Sequence, residues 1–538
     1  MTPLVDYNND YRNFSEIDYL LGSNLAGTPS GLNKAMQRLQ LFDLSKRHIP
    51  YLLLIHKVLY NIDFPEADKK EAINKLLAGL YREVIHKNSR KQLTDFFPSY
   101  FVYRLLVDLY IAGYKIERVL RGVKDESDAI GEIIKYGDFS SEGFPRFLWS
   151  DLAKYKHLGK YRGEVLHTIA LKSLFAGNMG GFYFLLDLIK EYRLNPPSLI
   201  GAVAALIYRD EIDQALKITE SEPKKDMKSA CYMDLSNSLA QTGKIDMLLK
   251  LKHSTSEPEF LIGILCGLMN YHFKRNELAL ADKLLEEAFA CLDKIKSNFI
   301  RTLRLVRILA FIDLTGDSAG FERCIKEILL LEQKINGNQK DIVRRYFCRT
   351  LIQGGHIEQA KEYANQWHLL NPGKAYVSNP FSLEIFFQVM MEEELTTCDL
   401  TIRCDRLLSN EKFTENAGHY YKSVLEIVNL IQEDDFRGDS LLLVADRMAV
   451  HGFYNQAIKV RDSIKKKSHQ SQINSSMPMH AIANGDISEA LYFAEMLNDE
   501  KTRLAVQLCM TPHLEKLNHT KEASVFIREW ADYTFKNT

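Results

Sequence analysis

Charge of one sign, long apolar runs, paired cysteines and helix-breaking residues are all scarce in this sequence, and each scarcity excludes something. The 538 residues carry 69 basic and 70 acidic side chains, a net charge of −1, so no general attraction to nucleic acid or anionic lipid is expected. The most apolar run, Phe260 to Phe273, is interrupted by Asn270 and His272. It falls short of the roughly twenty residues that cross a bilayer, and no membrane span is predicted. The eight cysteines, at 231, 266, 291, 324, 348, 398, 404 and 509, are mostly within apolar stretches and form no CxxC pair. That usage suits a reducing compartment better than a disulfide framework or a zinc site. Cys398 and Cys404 are closest in sequence, yet six residues on a helix turn them about 120° apart. With only 14 prolines and 28 glycines and a hydrophobic content of 46%, the composition fits long helices joined by short turns rather than disorder.

Signatures of catalysis are missing as well. There is no phosphate loop ending in Lys-Ser or Lys-Thr, no HExxH, no GxSxG and no dinucleotide fingerprint, so neither cofactor nor metal is expected. Gly177-Asn178-Met179-Gly180-Gly181 has the look of a phosphate cradle but follows a helical stretch, not a strand, and reads as a turn. His167 and His272 sit among apolar neighbours and read as core or interface histidines. The acidic runs Glu392-Glu393-Glu394 and Glu433-Asp434-Asp435 read as solvated surface. The opening segment from Met1 has no basic patch ahead of an apolar run, so no secretory signal is expected. A cytoplasmic location is the default, with export as a bacterial effector into a host left open.

What the chain does have is a repeat. The turn-formers Gly177, Asp210, Gly243 and Asn276 stand 33 residues apart, each followed five positions later by an apolar residue: Phe182, Ala215, Leu248 and Ala281. The same device returns at Gly452, Gly485 and Asn518, with Ala457, Ala490 and Ala523, and between the blocks lie Gly316 and Gly355, with Phe321 and Ala360 at a longer interval. Gly, Asn and Asp tolerate the left-handed conformation that closes a helix. A small or flat residue five on lets the second helix approach the first. Stacked hairpins are implied, since one hairpin cannot bury its own apolar face.

The units Gly485-Asp486-Ile487-Ser488-Glu489-Ala490-Leu491 and Gly355-His356-Ile357-Glu358-Gln359-Ala360-Lys361 resemble the central turn of tetratricopeptide repeats. The resemblance covers roughly 165–372 and 416–538. The chain departs from it where that family carries a small residue seven before the turn, having Pro478, Thr511 and Cys348 instead, and the helix-closing proline is mostly missing. The resemblance implies an all-α fold, a right-handed α-α superhelix of helical hairpins. The chain divides accordingly into a flexible leader over 1–30, an irregular helical capping domain over 31–165 and a repeat array over 166–372. An irregular insertion or hinge follows over 373–415, bracketed by Asn371-Pro372-Gly373, and then a second repeat block over 416–538. Met477-Pro478-Met479-His480 is echoed by Met510-Thr511-Pro512-His513, and prolines at near-equivalent places are expected to bend their helices.

Arg301, Arg304 and Arg307 recur three apart before Gly316, and Arg344, Arg345 and Arg349 precede Gly355. First helices line the groove in the resembled family, so these six would form a basic patch able to hold carboxylates bidentately. Alternatively they pair with acids of neighbouring helices, such as Glu322 or Asp341. The function expected is a non-enzymatic scaffold that takes a peptide or helix of another protein in its groove. A repeat-type RNA-binding protein and an enzyme with a site in 31–165 or 373–415 are the alternatives. Nucleic acid is disfavoured by the neutral charge, and the oligomeric state is open.

Overall fold

The computed structural model describes residues 29–39, 47–60, 64–85, 97–116, 162–191, 200–370, 383–407 and 417–537, with eight isolated positions between them. Among these residues every regular element is a helix, and the chain is an all-α solenoid of helical hairpins. Most of the leader, 1–28, lies outside the described residues, as do 371–382 and 408–416. Contacts divide the molecule into two compact units, Met1–Leu188 with Gln470–Thr538, and Ile189–His469. The C-terminal repeats therefore do not form a block of their own. Residues from 470 onward belong with the N-terminal helices, a long-range pairing that no local periodicity reports.

In that first unit the helices are α1 (Pro29–Leu39), α2 (His48–Tyr60), α3 (Glu66–Gly79, continued by a wider turn over Leu80–Ile85), α4 (Ser99–Ile111), α5 (Arg162–Phe175) and most of α6 (Met179–Glu191). The second unit runs through five hairpins: α7 (Ile200–Tyr208) and α8 (Ile212–Ser221), α9 (Lys225–Gln241) and α10 (Ile245–Ser254), α11 (Pro258–Lys274) and α12 (Leu278–Leu292), α13 (Asn298–Thr315) and α14 (Ser318–Glu332), α15 (Asn338–Gln353) and α16 (Ile357–Leu370). It continues with α17 (Leu383–Leu407), the one-turn α18 (Ala417–Tyr420), α19 (Lys422–Leu430), α20 (Asp434–Val450) and α21 (Tyr454–Asp462). The chain then returns to the first unit with α22 (Lys467–Ala483), α23 (Ile487–Glu495), α24 (Glu500–Lys516) and α25 (Thr520–Asn537).

All nine turn residues hold positive φ, from 60° at Asn276 to 86° at Gly355. In each, its own N–H reaches the carbonyl three residues back, as Gly485 does to Ile482 at 3.1 Å. In eight of the nine the next residue bonds five residues back, as Asp486 does to Ala481 at 2.9 Å. This double closure satisfies the carbonyls that a helix end leaves free. Gly316 is the exception: Asp317 instead caps the following helix, its side chain accepting from the Gly320 N–H at 3.0 Å. The residue five on is buried every time, from Ala490, fully so, to Phe321 at 9% exposure. Gly113, with φ of 83°, makes the same pair of bonds through Tyr110 and Leu109, which places a further hairpin turn in the N-terminal region.

First helices pack in series within the second unit, α7 on α9, α9 on α11, α11 on α13 and α13 on α15, with the second helices laid against them. The α9–α11 contact is the tightest because Gly263 and Gly267 sit at it. A Cβ on Gly267 would stand 2.8 Å from the Ser236 carbonyl oxygen.

In the first unit α2 and α4 pack against α24. Asp108 is the hub, accepting from Arg104 Nε at 3.1 Å, from Lys516 Nζ at 3.0 Å and from the Tyr60 hydroxyl. Beside it Tyr100 Oη meets His513 Nε2 at 2.8 Å, and His56 Nε2 meets Thr511 Oγ1 at 3.2 Å. The Thr511 hydroxyl already donates to the Leu508 carbonyl at 2.7 Å. His56 must then carry its proton on Nε2 and donate, and burial pushes its pKa down to about 3. The near-repeat of His480 and His513 thus ends in a packing role for His513.

Candidate functional site

The segment predicted as an irregular insertion contains the longest helix among the described residues, α17, with 25 residues. It packs against α15 and α7, which stand at opposite ends of the series of first helices, and α19 packs against both α17 and α15. The prolines of this segment, Pro372 and Pro380, stand ahead of the helix, and loss of repeat spacing does not preclude one, so over 383–407 the segment is helical and not irregular.

Two seams join α17 to the array. At the first, Glu393 and Glu394 meet the arginines of α15. Arg345 Nε donates to Glu393 Oε1 at 3.0 Å, and Arg349 Nε donates to Glu394 Oε2 at 3.0 Å. Glu394 is nearly covered, at 5% exposure. Its other oxygen accepts from Gln353 Nε2 at 2.9 Å and from Ser423 Oγ of α19 at 2.6 Å. The acidic run expected to be solvated is the partner of the basic pair expected to hold a ligand's carboxylates.

The remaining arginines go elsewhere. Arg301 bridges Asp293 and Glu327 at 3.0 and 2.9 Å. Arg304 is buried and donates to Ser229 Oγ of α9 at 2.5 Å. Arg344 pairs with Glu332 at 2.6 Å and lies 5.1 Å over the Trp367 ring. Arg307 has no ion pair or hydrogen bond among the described residues. A three-residue step falls short of a 3.6-residue turn, so from Arg301 to Arg307 the direction swings by about 120°. The three therefore face three different neighbours instead of one groove.

The second seam is a cavity of about 480 Å³ lined by α7, α9, α11, α13 and α17. Its polar wall is built by periodicity. Asp234, Asn237, Ser238 and Gln241 fall at i, i+3, i+4 and i+7 of α9, and Thr397, Leu400, Thr401 and Cys404 do the same on α17. Tyr208, Gln241, Lys274 and Arg307 follow one another at the 33-residue period and form the ladder along one side. The Tyr208 hydroxyl donates to Gln241 Oε1. Asp234 Oδ2 and Asn237 Oδ1 are sealed from solvent without a partner. Burial pushes the Asp234 carboxyl up to about 7, against the opposing pull of the Ala204 backbone and the Arg307 charge. A second cavity of about 760 Å³ adjoins it and shares Tyr208, Gln241, Lys274, Thr397 and Thr401. Sequence reasoning missed these polar residues, although the 33-residue ladder was legible; α9 is polar along much of its length and shows no distinct stripe.

No group of three or more His, Cys, Asp or Glu side chains placed to hold a metal occurs among the described residues. No helix among them is long and apolar enough to cross a membrane. No protein-family model matches the chain, and no curated protein matches it. Among solved structures it is similar to a "circular tandem repeat protein with novel repeat topology and enhanced subunit contact surfaces". The two are 11% identical over 98% of this chain and 95% of that one, with a TM-score of 0.14. A likeness at that TM-score carries no argument, and the fold rests on the chain's own helices and turns.

Proposed function

We propose that this protein is a non-enzymatic interaction scaffold, tetratricopeptide-like in its hairpins, that takes an acidic helix of another protein against α15. The observation that supports this reading is the seam of Glu393 and Glu394 on Arg345 and Arg349. Two arginines on one face of a first helix grip two successive carboxylates of a helix lying across it. Fork-shaped guanidinium groups suit that contact because each presents several N–H donors in one plane. On this reading α17 occupies the place of the partner, and a partner helix competes with it for the same arginines.

The test is a labelled peptide of residues 383–407 titrated against three full-length chains. The parent should bind it weakly, because its own α17 is seated. Glu393→Arg with Glu394→Arg should free the site and bind it at least tenfold more tightly. Arg345→Glu with Arg349→Glu in an otherwise parental chain should unseat α17 yet capture none of the parental peptide, and a peptide with both glutamates changed to arginine should bind it instead. Equal affinities across these chains would sink the proposal.

A further inference from the structure

The cavity beneath α17 has a chemistry of its own. We propose that it binds a small zwitterion of the amino-acid or dipeptide class, with the ligand's ammonium on Asp234 and its carboxylate on Arg307. The site is that of the chain with its own α17 seated, because α17 forms one wall of the cavity.

Three observations carry it. First, Asp234 and Asn237 line the cavity from one face of α9, and their side chains offer oxygen acceptors suited to a ligand rich in N–H donors. Second, Arg307, which lines the same cavity, has no ion pair or hydrogen bond among the described residues, whereas the other five arginines of α13 and α15 discussed above all do. It suits an anionic group, since a guanidinium holds a carboxylate with two parallel bonds. Third, Asp234 and Arg307 share the cavity without forming an ion pair with each other. A ligand carrying both charges can satisfy both, which a plain anion or a plain amine cannot.

The size agrees. A volume of about 480 Å³ falls within the roughly 300–1,000 Å³ of small-molecule sites. The apolar side chains of Ala204, Ala240, Leu314 and Leu400 complete the lining and leave room for a side chain on the ligand. Thr401 and Cys404 come from α17, so a bound ligand touches both α17 and the array.

The experiment is a thermal-shift titration of the full chain with the α-amino acids, and with their dipeptides with alanine, at millimolar concentration. The expected result is a concentration-dependent rise in Tm with one or a few of them. The N-acetylated and the C-amidated forms of the best compound should each lose most of that rise, since one lacks the ammonium and the other the carboxylate. Arg307→Gln and Asp234→Asn should likewise abolish it. No rise with any compound overturns the proposal, as does a rise that survives both blocked forms or both substitutions. Should a variant fail to fold, the blocked ligands decide alone.

Discussion

At Gly485, φ is 84° and nothing lies within 4 Å of where a Cβ would stand. The glycine is there for its backbone alone. Gly485→Ala is accordingly expected to destabilise by about 1–2 kcal/mol, the cost of holding an L-residue left-handed, with a thermal melt as the measure. Five residues on the limit is space. Ala490 is fully buried, so Ala490→Phe should cost about 1–3 kcal/mol by overpacking. A melt matching the parent would show that the register between turn and small residue is misplaced. Asn and Asp fill the same left-handed role at Asp210, Asn276 and Asn518, because their short polar side chains tolerate it better than other non-glycine residues.

Helices respond to what the residues leave open. Gly263 and Gly267 let α9 and α11 approach until a Cβ on either would meet the backbone of α9. Gly267→Ala would drive a methyl group into the Ser236 carbonyl, and we expect a loss of about 1–3 kcal/mol. Circular dichroism melts with helicity measured at low temperature would separate that loss from a failure to form helix; an unchanged melting temperature would show the contact to be loose. Proline at 478 and 512 sits inside α22 and α24, both of which continue through it. α17 is the element that sequence periodicity described least well. Its acidic run reads as solvated surface until the helix is set against α15, where Glu393 and Glu394 become bonded to arginine.

The balance of buried titratable groups belongs to the whole chain. Burial holds His56 down to about 3 and His167 and His451 to about 4. Each is neutral in the fold and takes a proton on unfolding at any pH below its ordinary value. Their contribution is therefore complete above about 6.5 and lost as pH falls toward about 3 to 4. Asp234 and Glu515, pushed up to about 7 by burial, work in the opposite sense. They favour the fold below the ordinary carboxylate range and lose that advantage as pH rises through about 7. Asp234→Asn should raise the urea midpoint relative to the parent at a pH of about 8 and change it little near about 4. An equal effect at both would show that the carboxyl is not held neutral by the fold.

From sequence alone one could read the hairpin period, the residues that close each helix and those that let the next one approach, because these are local demands of φ and of contact between neighbouring helices. Arg345 and Arg349 were legible as cations on a first helix for the same reason. That Glu393 and Glu394 meet them and that residues after 470 join the N-terminal helices could be decided only in three dimensions. Those pairings join positions 45 to more than 400 residues apart, and no periodicity in a chain carries information about which distant faces will meet. Whether a charged side chain is solvated, bonded or left facing a cavity depends on that meeting.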